Sequence, residues 1–198
     1  MAQELNDDEL MARIMQEDEE AFRVLIERHQ DRVYGTAARM MGGAGPEAEE
    51  VAQDIFLRVW RSAGTYRAEG KFTTWLMTVV RNQVFTRTGQ KNRRKDIDGE
   101  DPVDEDSGES WIEKQPDSGV PSPAEALSFR DLEKAVAEAC AELTENQRLV
   151  IHLRQYEGMD LEEIVKITGM SLTAVKALMF RARESLKKKL SGYLTASK

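Results

Sequence analysis

Residues 160–190 read DLEEIVKITGMSLTAVKALMFRARESLKKKL, and their spacing sets the expectation for the rest of the chain. Asp160 followed three residues later by Glu163 is a capping box, in which each side chain bonds the other residue's backbone N–H at a helix start. A short helix, LEEIVKIT, is predicted behind it, then a turn at Gly169, then a longer helix capped by Ser171. That order is the pattern of a helix-turn-helix, whose second helix enters the major groove of DNA. Ile164 and Val165 are predicted to face inward. On the second helix Leu172, Val175, Met179, Ala182, Leu186 and Leu190 recur at intervals of three or four and form the predicted core stripe. Thr173, Lys176, Ala177, Phe180, Arg181 and Lys187 are left facing outward. Arg181 and Lys176 suit guanine edges or phosphates, while Ala177 and the Phe180 ring suit thymine methyls.

The charge of this stretch opposes that of the chain. Residues 171–190 carry six bases and one acid, although the 198 residues together have a formal net charge of -8. Residues 81–95, RNQVFTRTGQKNRRK, hold six bases and no acid, and residues 96–118 hold ten acids against Lys114 alone. Nucleic acid responds to fields within a Debye length of about 8–10 Å, so this basic, acidic, basic order says more about partners than the total does.

The totals exclude several classes. With 40% hydrophobic and 32% charged residues, the chain fits one or two small soluble domains. No run approaches the roughly 20 apolar residues that span a bilayer. The opening MAQELNDDELMARIM is too acidic for a leader peptide, so a cytoplasmic location is expected. Cys140 is the single cysteine, which rules out an internal disulfide, and His29 and His152 are too few for a structural zinc site. Neither a metal nor a cofactor is expected. Cys140 lies among Ala137, Ala139, Ala141 and Leu143, the setting of a small core residue, and no Walker-type glycine loop occurs. A catalytic role is therefore not expected.

Elsewhere apolar residues also recur at three and four rather than two, which predicts an all-α fold. Asn6 with Glu9 is a capping box before a short helix, and Asp18 caps a second helix whose stripe is Phe22, Leu25, Ile26, His29, Val33, Tyr34, Ala37 and Met41. The cluster Gly42, Gly43, Ala44, Gly45, Pro46 ends it. A third helix is predicted over about 47–62, with Val51, Ile55 and Val59 as one row and Ala52, Phe56 and Trp60 as another, and a fourth over about 72–88. From Asp96 to Pro121 the chain is acid, glycine, serine and proline, so burial cannot offset the entropy of ordering it, and a linker is predicted there. Trp111 and Ile112 stand out within it as a candidate docking point, although a lone aromatic in a tether more often does nothing specific. Ser122, Pro123 and Glu125 open a further helix, and Thr144 with Gln147 another. The carboxyl-terminal half is predicted to hold four helices.

Two long motifs now stand in order. EAEEVAQDIFLRVWRSAGTYRAEGKFTTWLMTVVRN is similar to region two of the RNA polymerase sigma factors, and LTENQRLVIHLRQYEGMDLEEIVKITGMSLTAVKALMFRAR is similar to their region four. The chain resembles the extracytoplasmic-function (ECF) group of the sigma-70 family, which keeps only those two regions. The resemblance implies region two over 1–95, an acidic linker over 96–121 and region four over 122–198.

It implies partners as well: core RNA polymerase, met at its beta-prime clamp by region two and its beta flap by region four; promoter DNA; and, for many members of the group, an anti-sigma protein covering the same surfaces. Gln53, Asp54, Leu57, Arg58 and Arg61 would face the clamp. Arg81, Asn82, Arg87, Lys91, Arg93 and Arg94 would take the unstacked minus ten strand, with Phe72, Trp75 and Leu76 as supporting core. Ser171, Thr173, Lys176, Ala177, Phe180, Arg181 and Arg183 would read the minus thirty-five element. Here Ala177 and Leu178 stand where the family commonly has polar groups, so upstream reading is expected to rest on Lys176, Phe180, Arg181 and DNA shape. Leu178 is expected to pack on the flank of the core. Two rivals follow from the same residues: a sigma-like regulator or adaptor that does not direct initiation, and an enzyme using Cys140 or His152.

Overall fold

The computed structural model describes residues 5–89 and 134–195, and among these every regular element is helical, with no strand. The expected linker, Trp111, Ile112, the helix start at Ser122, Pro123 and Glu125, and the bases Lys91, Arg93 and Arg94 lie outside the described residues. The chain divides into two compact units.

The amino-terminal unit contains α1 (Asp7–Ile14), α2 (Glu19–Met41), α3 (Pro46–Ser62), a 3₁₀ turn (Ala63–Thr65) and α4 (Phe72–Arg87). Each start has a local cause. Asn6 Oδ1 accepts from Glu9 N–H at 2.9 Å while Glu9 Oε2 accepts from Asn6 N–H at 2.8 Å, the predicted reciprocal box. Asp18 Oδ1 accepts from Ala21 N–H at 3.0 Å, and this backbone bond, reinforced by Arg13, holds the Asp18 carboxyl below its ordinary pKa. Pro46 opens α3, where a missing N–H costs nothing. Between α1 and α2 the chain turns through Glu17, whose φ of 62° is left-handed although the residue carries a Cβ.

Leu10, Met11 and Ile14 of α1, Leu25, Val33 and Ala37 of α2, Val51, Ile55 and Val59 of α3, and Leu76, Met77, Val80 and Val84 of α4 are all buried. Each large apolar side chain removed from water in this way contributes about 1.5–3 kcal/mol. On α2 the observed stripe departs from the predicted one at its end: Met40 and Thr36 are buried, while Met41 is half-buried. Twenty-three residues carry a three-and-four pattern round the helix axis, because 3.6 residues per turn does not divide it evenly. Phe22, at the other end, is half-buried and leans on Trp60 with ring centroids 4.9 Å apart.

Helix α1 is fixed by its first turn. Asp7 meets His29 Nε2 at 3.0 Å and accepts from the Arg28 guanidinium at 2.6 Å, while Asp8 accepts from the Tyr66 hydroxyl. His29 is 5% exposed and lies 5.1 Å from the Phe72 ring. Burial holds its pKa below the ordinary histidine value, outweighing the upward pull of Asp7. Tyr66 in turn meets Phe72 and Trp75 edge-on, at 5.9 and 5.0 Å.

The carboxyl-terminal half of the chain contains α5 (helical over 134–141), α6 (Glu145–Gln155), α7 (Leu161–Thr168) and α8 (Leu172–Thr195). Thr144 and Gln147 form the predicted box ahead of α6, with bonds of 3.0 and 3.3 Å. The Arg148 guanidinium donates to the carbonyls of Cys140, Ala141 and Leu143 at 3.1, 3.0 and 3.2 Å, satisfying acceptors that the end of α5 leaves open. Helix α6 packs on α8, and Leu143, Ile151 and Ala182 join the half-buried Leu186 in one cluster. Cys140 is half-buried, and burial raises its thiol pKa, so it is protonated at neutral pH and packs as a small side chain. No helix among the described residues is long and apolar enough to cross a membrane.

Candidate functional site

The helix-turn-helix is built from local bonds. Asp160 N–H donates to Glu163 Oε2 at 3.0 Å, and Glu163 N–H to Asp160 Oδ1 at 2.8 Å, starting α7. Gly169 then takes a φ of 70°, with its N–H on Val165 O at 2.8 Å, and Met170 N–H bonds Thr168 Oγ1 at 3.3 Å. Ser171 Oγ accepts from Ala174 N–H at 3.2 Å and starts α8.

One of the predicted inward positions, Leu172, is corrected. Helix α7 buries Ile164 and Ile167 fully, whereas Val165 is half-buried. Residues three apart share a helix face, and Val165 sits about 100° round from Ile164. On α8, Val175, Met179 and Ala182 are buried and Leu186 and Leu190 half-buried, but Leu172 is 44% exposed. A side chain in a first turn leans back beyond the helix start, where no preceding turn covers it.

The outward set emerges as expected. Thr173, Lys176, Phe180, Arg181 and Lys187 are exposed, as is Ser171, while Ala177 and Arg183 are half-buried. Lys176 and Arg181 therefore flank a phenylalanine ring that remains 49% exposed. Arg181 Nε rests 3.4 Å from Ala177 O on its own helix, which keeps its guanidinium on this face. Leu178 is half-buried on the flank of the core stripe.

On α4, Asn82 is exposed and Arg81 half-buried, with its guanidinium 5.2 Å from the Phe85 ring centroid and its NH1 3.3 Å from Asn82 Oδ1. Arg87 is ion-paired with Glu50 of α3 and lies 4.0 Å from Asp54. Phe72 and Leu76 of the same helix are buried, and Trp75 is half-buried against Tyr66.

On α3, Gln53, Leu57, Arg58 and Arg61 are exposed on the side away from the buried Val51, Ile55 and Val59. Leu57 is 50% exposed amid those polar groups. Asp54 is half-buried and accepts from Gln83 Nε2 at 3.2 Å. The spacing of the sequence does not reveal Glu50, Tyr66 or the Asp7–His29 bond. The unusual placement of Tyr66 inside the polar stretch Gly64–Gly70 is the one signal it offers. Among the described residues no cluster of three or more His, Cys, Asp or Glu could hold a metal ion.

Residues 25–94 match the family Sigma-70 region 2, and residues 133–186 match Sigma-70, region 4. The ECF RNA polymerase sigma-E factor of Haemophilus influenzae is 30% identical over 193 residues, covering 96% of this chain and 98% of that protein. The RNA polymerase sigma-H factor of Pseudomonas aeruginosa is 28% identical over 191 residues, 95% of each. Among solved structures, CnrH in complex with the cytosolic domain of CnrY is similar with a TM-score of 0.61 at 24% identity, covering 97% of this chain and 99% of that one. The sigma factor RpoE in complex with the anti-sigma factor NepR, from Bartonella quintana, gives 0.58 at 19% identity, covering 86% and 96%. These two structures carry the fold.

Proposed function

Because the chain belongs to the extracytoplasmic-function group of the sigma-70 family and directs transcription initiation, we propose that its two helical units divide the promoter between them while core RNA polymerase is attached. Residues 1–95 take the polymerase clamp and the minus ten element, residues 96–121 link, and residues 122–198 take the minus thirty-five element and the beta flap. The observation that carries this reading is the cationic outer face of α8, with Lys176 and Arg181 beside an exposed Phe180, in a chain that also holds region two.

In this division Lys176, Arg181 and Arg183 meet phosphates and guanine edges, Ser171 and Thr173 bond the backbone at the helix start, and Ala177 and Phe180 meet thymine methyls. Leu57, ringed by Gln53, Asp54, Arg58 and Arg61, is an apolar anchor within a polar rim and suits a helical partner. Arg81, Asn82, Arg87, Lys91, Arg93 and Arg94 form the cationic track for the displaced strand. Capturing unstacked bases there offsets the few kcal/mol that unstacking requires, so opening draws on binding free energy. An anti-sigma protein that covered Leu57 and this track would block both events at once.

Run-off transcription tests the division. Core polymerase with the chain should yield transcripts from discrete start sites. Substitution of Lys176 and Arg181 should abolish dependence on the upstream element, and substitution of Leu57 should weaken assembly. Promoter binding by the chain without any gain in selective transcription would instead identify an adaptor.

A further inference from the structure

On the rim of the seam between α3 and α4, two acids four residues apart face two polar groups four residues apart. Glu50 accepts from the Arg87 guanidinium, and Asp54 Oδ2 accepts from Gln83 Nε2 at 3.2 Å, with Arg87 NH1 4.0 Å from Asp54. A spacing of four stacks each pair on one helix face. The contacts thus form a ladder in which 50 meets 87 and 54 meets 83, the two helices running in opposite directions. Beneath it lie the buried Val51, Ile55, Val80 and Val84, which fix the rungs.

Arg87 is also one of the bases assigned above to the minus ten strand. We infer that Glu50 is a positioning residue that competes with DNA for the Arg87 guanidinium, so that nucleic acid recruits this charge only by displacing a carboxylate. The inference rests on the reading of α4 as the face toward DNA.

The exposure of the partners decides what kind of contact this is. The Arg87 side chain is 35% exposed and that of Glu50 60%. A pair so open to water is weak and screened by salt, whereas a phosphate offers the same guanidinium an equivalent pair of acceptor oxygens. Exchange between the two is therefore close to balanced. Asp54, whose side chain is 38% exposed, keeps Arg87 near α3 when Glu50 lets go. The arrangement withholds one cation from stray nucleic acid and yields it to a strand held close by. Because Asp54 also belongs to the proposed clamp-facing set, the ladder touches both proposed interfaces.

The test uses the full chain, alone and bound to core polymerase, with a fluorescent mixed-sequence 20-nucleotide single-stranded DNA read by anisotropy across a salt series. Glu50→Gln is expected to tighten binding about threefold and to steepen the log–log salt slope by about 0.7, the increment for one more phosphate neutralised on a single strand. Glu50→Asp keeps the charge and is expected to restore the parent slope. Glu49→Gln removes the same charge from the exposed neighbour and is expected to leave the slope unchanged. In an Arg87→Ala background Glu50→Gln should have no effect.

Equal behaviour of Glu50→Gln and Glu49→Gln, or a Glu50→Gln gain that survives Arg87→Ala, would reduce the effect to net charge and overturn the inference. A different failure would be Arg87→Ala leaving DNA binding intact both alone and on polymerase, since that removes Arg87 from the DNA face altogether. Glu50 is exposed, so circular dichroism should report unchanged helicity in each Glu50 variant.

Discussion

His29 Nε2 lies 3.0 Å from Asp7 Oδ2, a bond that ties α1 to α2 across 22 residues of chain. The imidazole is buried, and the Phe72 ring lies 5.1 Å away. The neutral ring donates its Nε2–H to the carboxylate, which satisfies a buried donor without placing a second charge in the interior.

Acidification should weaken this tie. Burial lowers the folded-state pKa of His29 below the ordinary value near 6.5, so the unfolded chain binds its proton first. The stability contributed by the neutral ring is complete above about pH 6.5 and is lost as pH falls from there toward the folded-state pKa. Urea midpoints at pH 7.5 and 5.5 should show the decline in the parent chain. In His29→Gln, which cannot titrate, that part of the decline should be absent.

Leu57→Asp should weaken assembly with core polymerase by about thirtyfold or more while leaving the fold intact. The side chain is 50% exposed, so replacing it alters stability by no more than about 0.5 kcal/mol, as at other surface sites. Loss of an apolar anchor at an interface centre removes about 2 kcal/mol or more of binding. Analytical gel filtration of the chain with core polymerase, beside a thermal melt of the chain alone, separates the two effects.

Arg181→Ala should cost about 1–3 kcal/mol of binding to a duplex carrying the upstream element and relax selectivity at one position. Leu178→Arg, on the half-buried flank, should act chiefly on stability. Holoenzyme footprinting on the parent promoter and on single-base variants distinguishes them. Loss of upstream binding on Leu178→Arg with none on Arg181→Ala would reverse the assignment of the two faces.

Glu17→Gly should stabilise the amino-terminal unit by about 0.5–1 kcal/mol. Glu17 sits at φ 62°, where a Cβ costs about 1–2 kcal/mol, and glycine returns part of that gain as entropy of the unfolded chain. The measurement is the denaturation midpoint at constant m-value.

What the sequence made legible was local. The boxes at Asn6 and Glu9, Thr144 and Gln147, and Asp160 and Glu163 all form as read, because each is decided within four residues. Periodicity named faces correctly, yet it could not grade depth: Leu172 and Val165 carry apolar side chains in register and still reach water. Contacts made by folding were invisible. Arg87 meets Glu50 across 37 residues and Tyr66 meets Asp8 across 58, and no spacing rule joins charges so far apart. The outward face of α8 was readable for the opposite reason, since one helix supplies all of it.

Gly169 bears on how this chain tolerates change. A methyl group built there would touch nothing within 4 Å, so crowding is not what favours glycine; the left-handed torsion is. A side chain there would either hold that torsion at a cost of about 1–2 kcal/mol or relax it and swing α8 off target, so the upstream address depends on a single dihedral that glycine holds without strain.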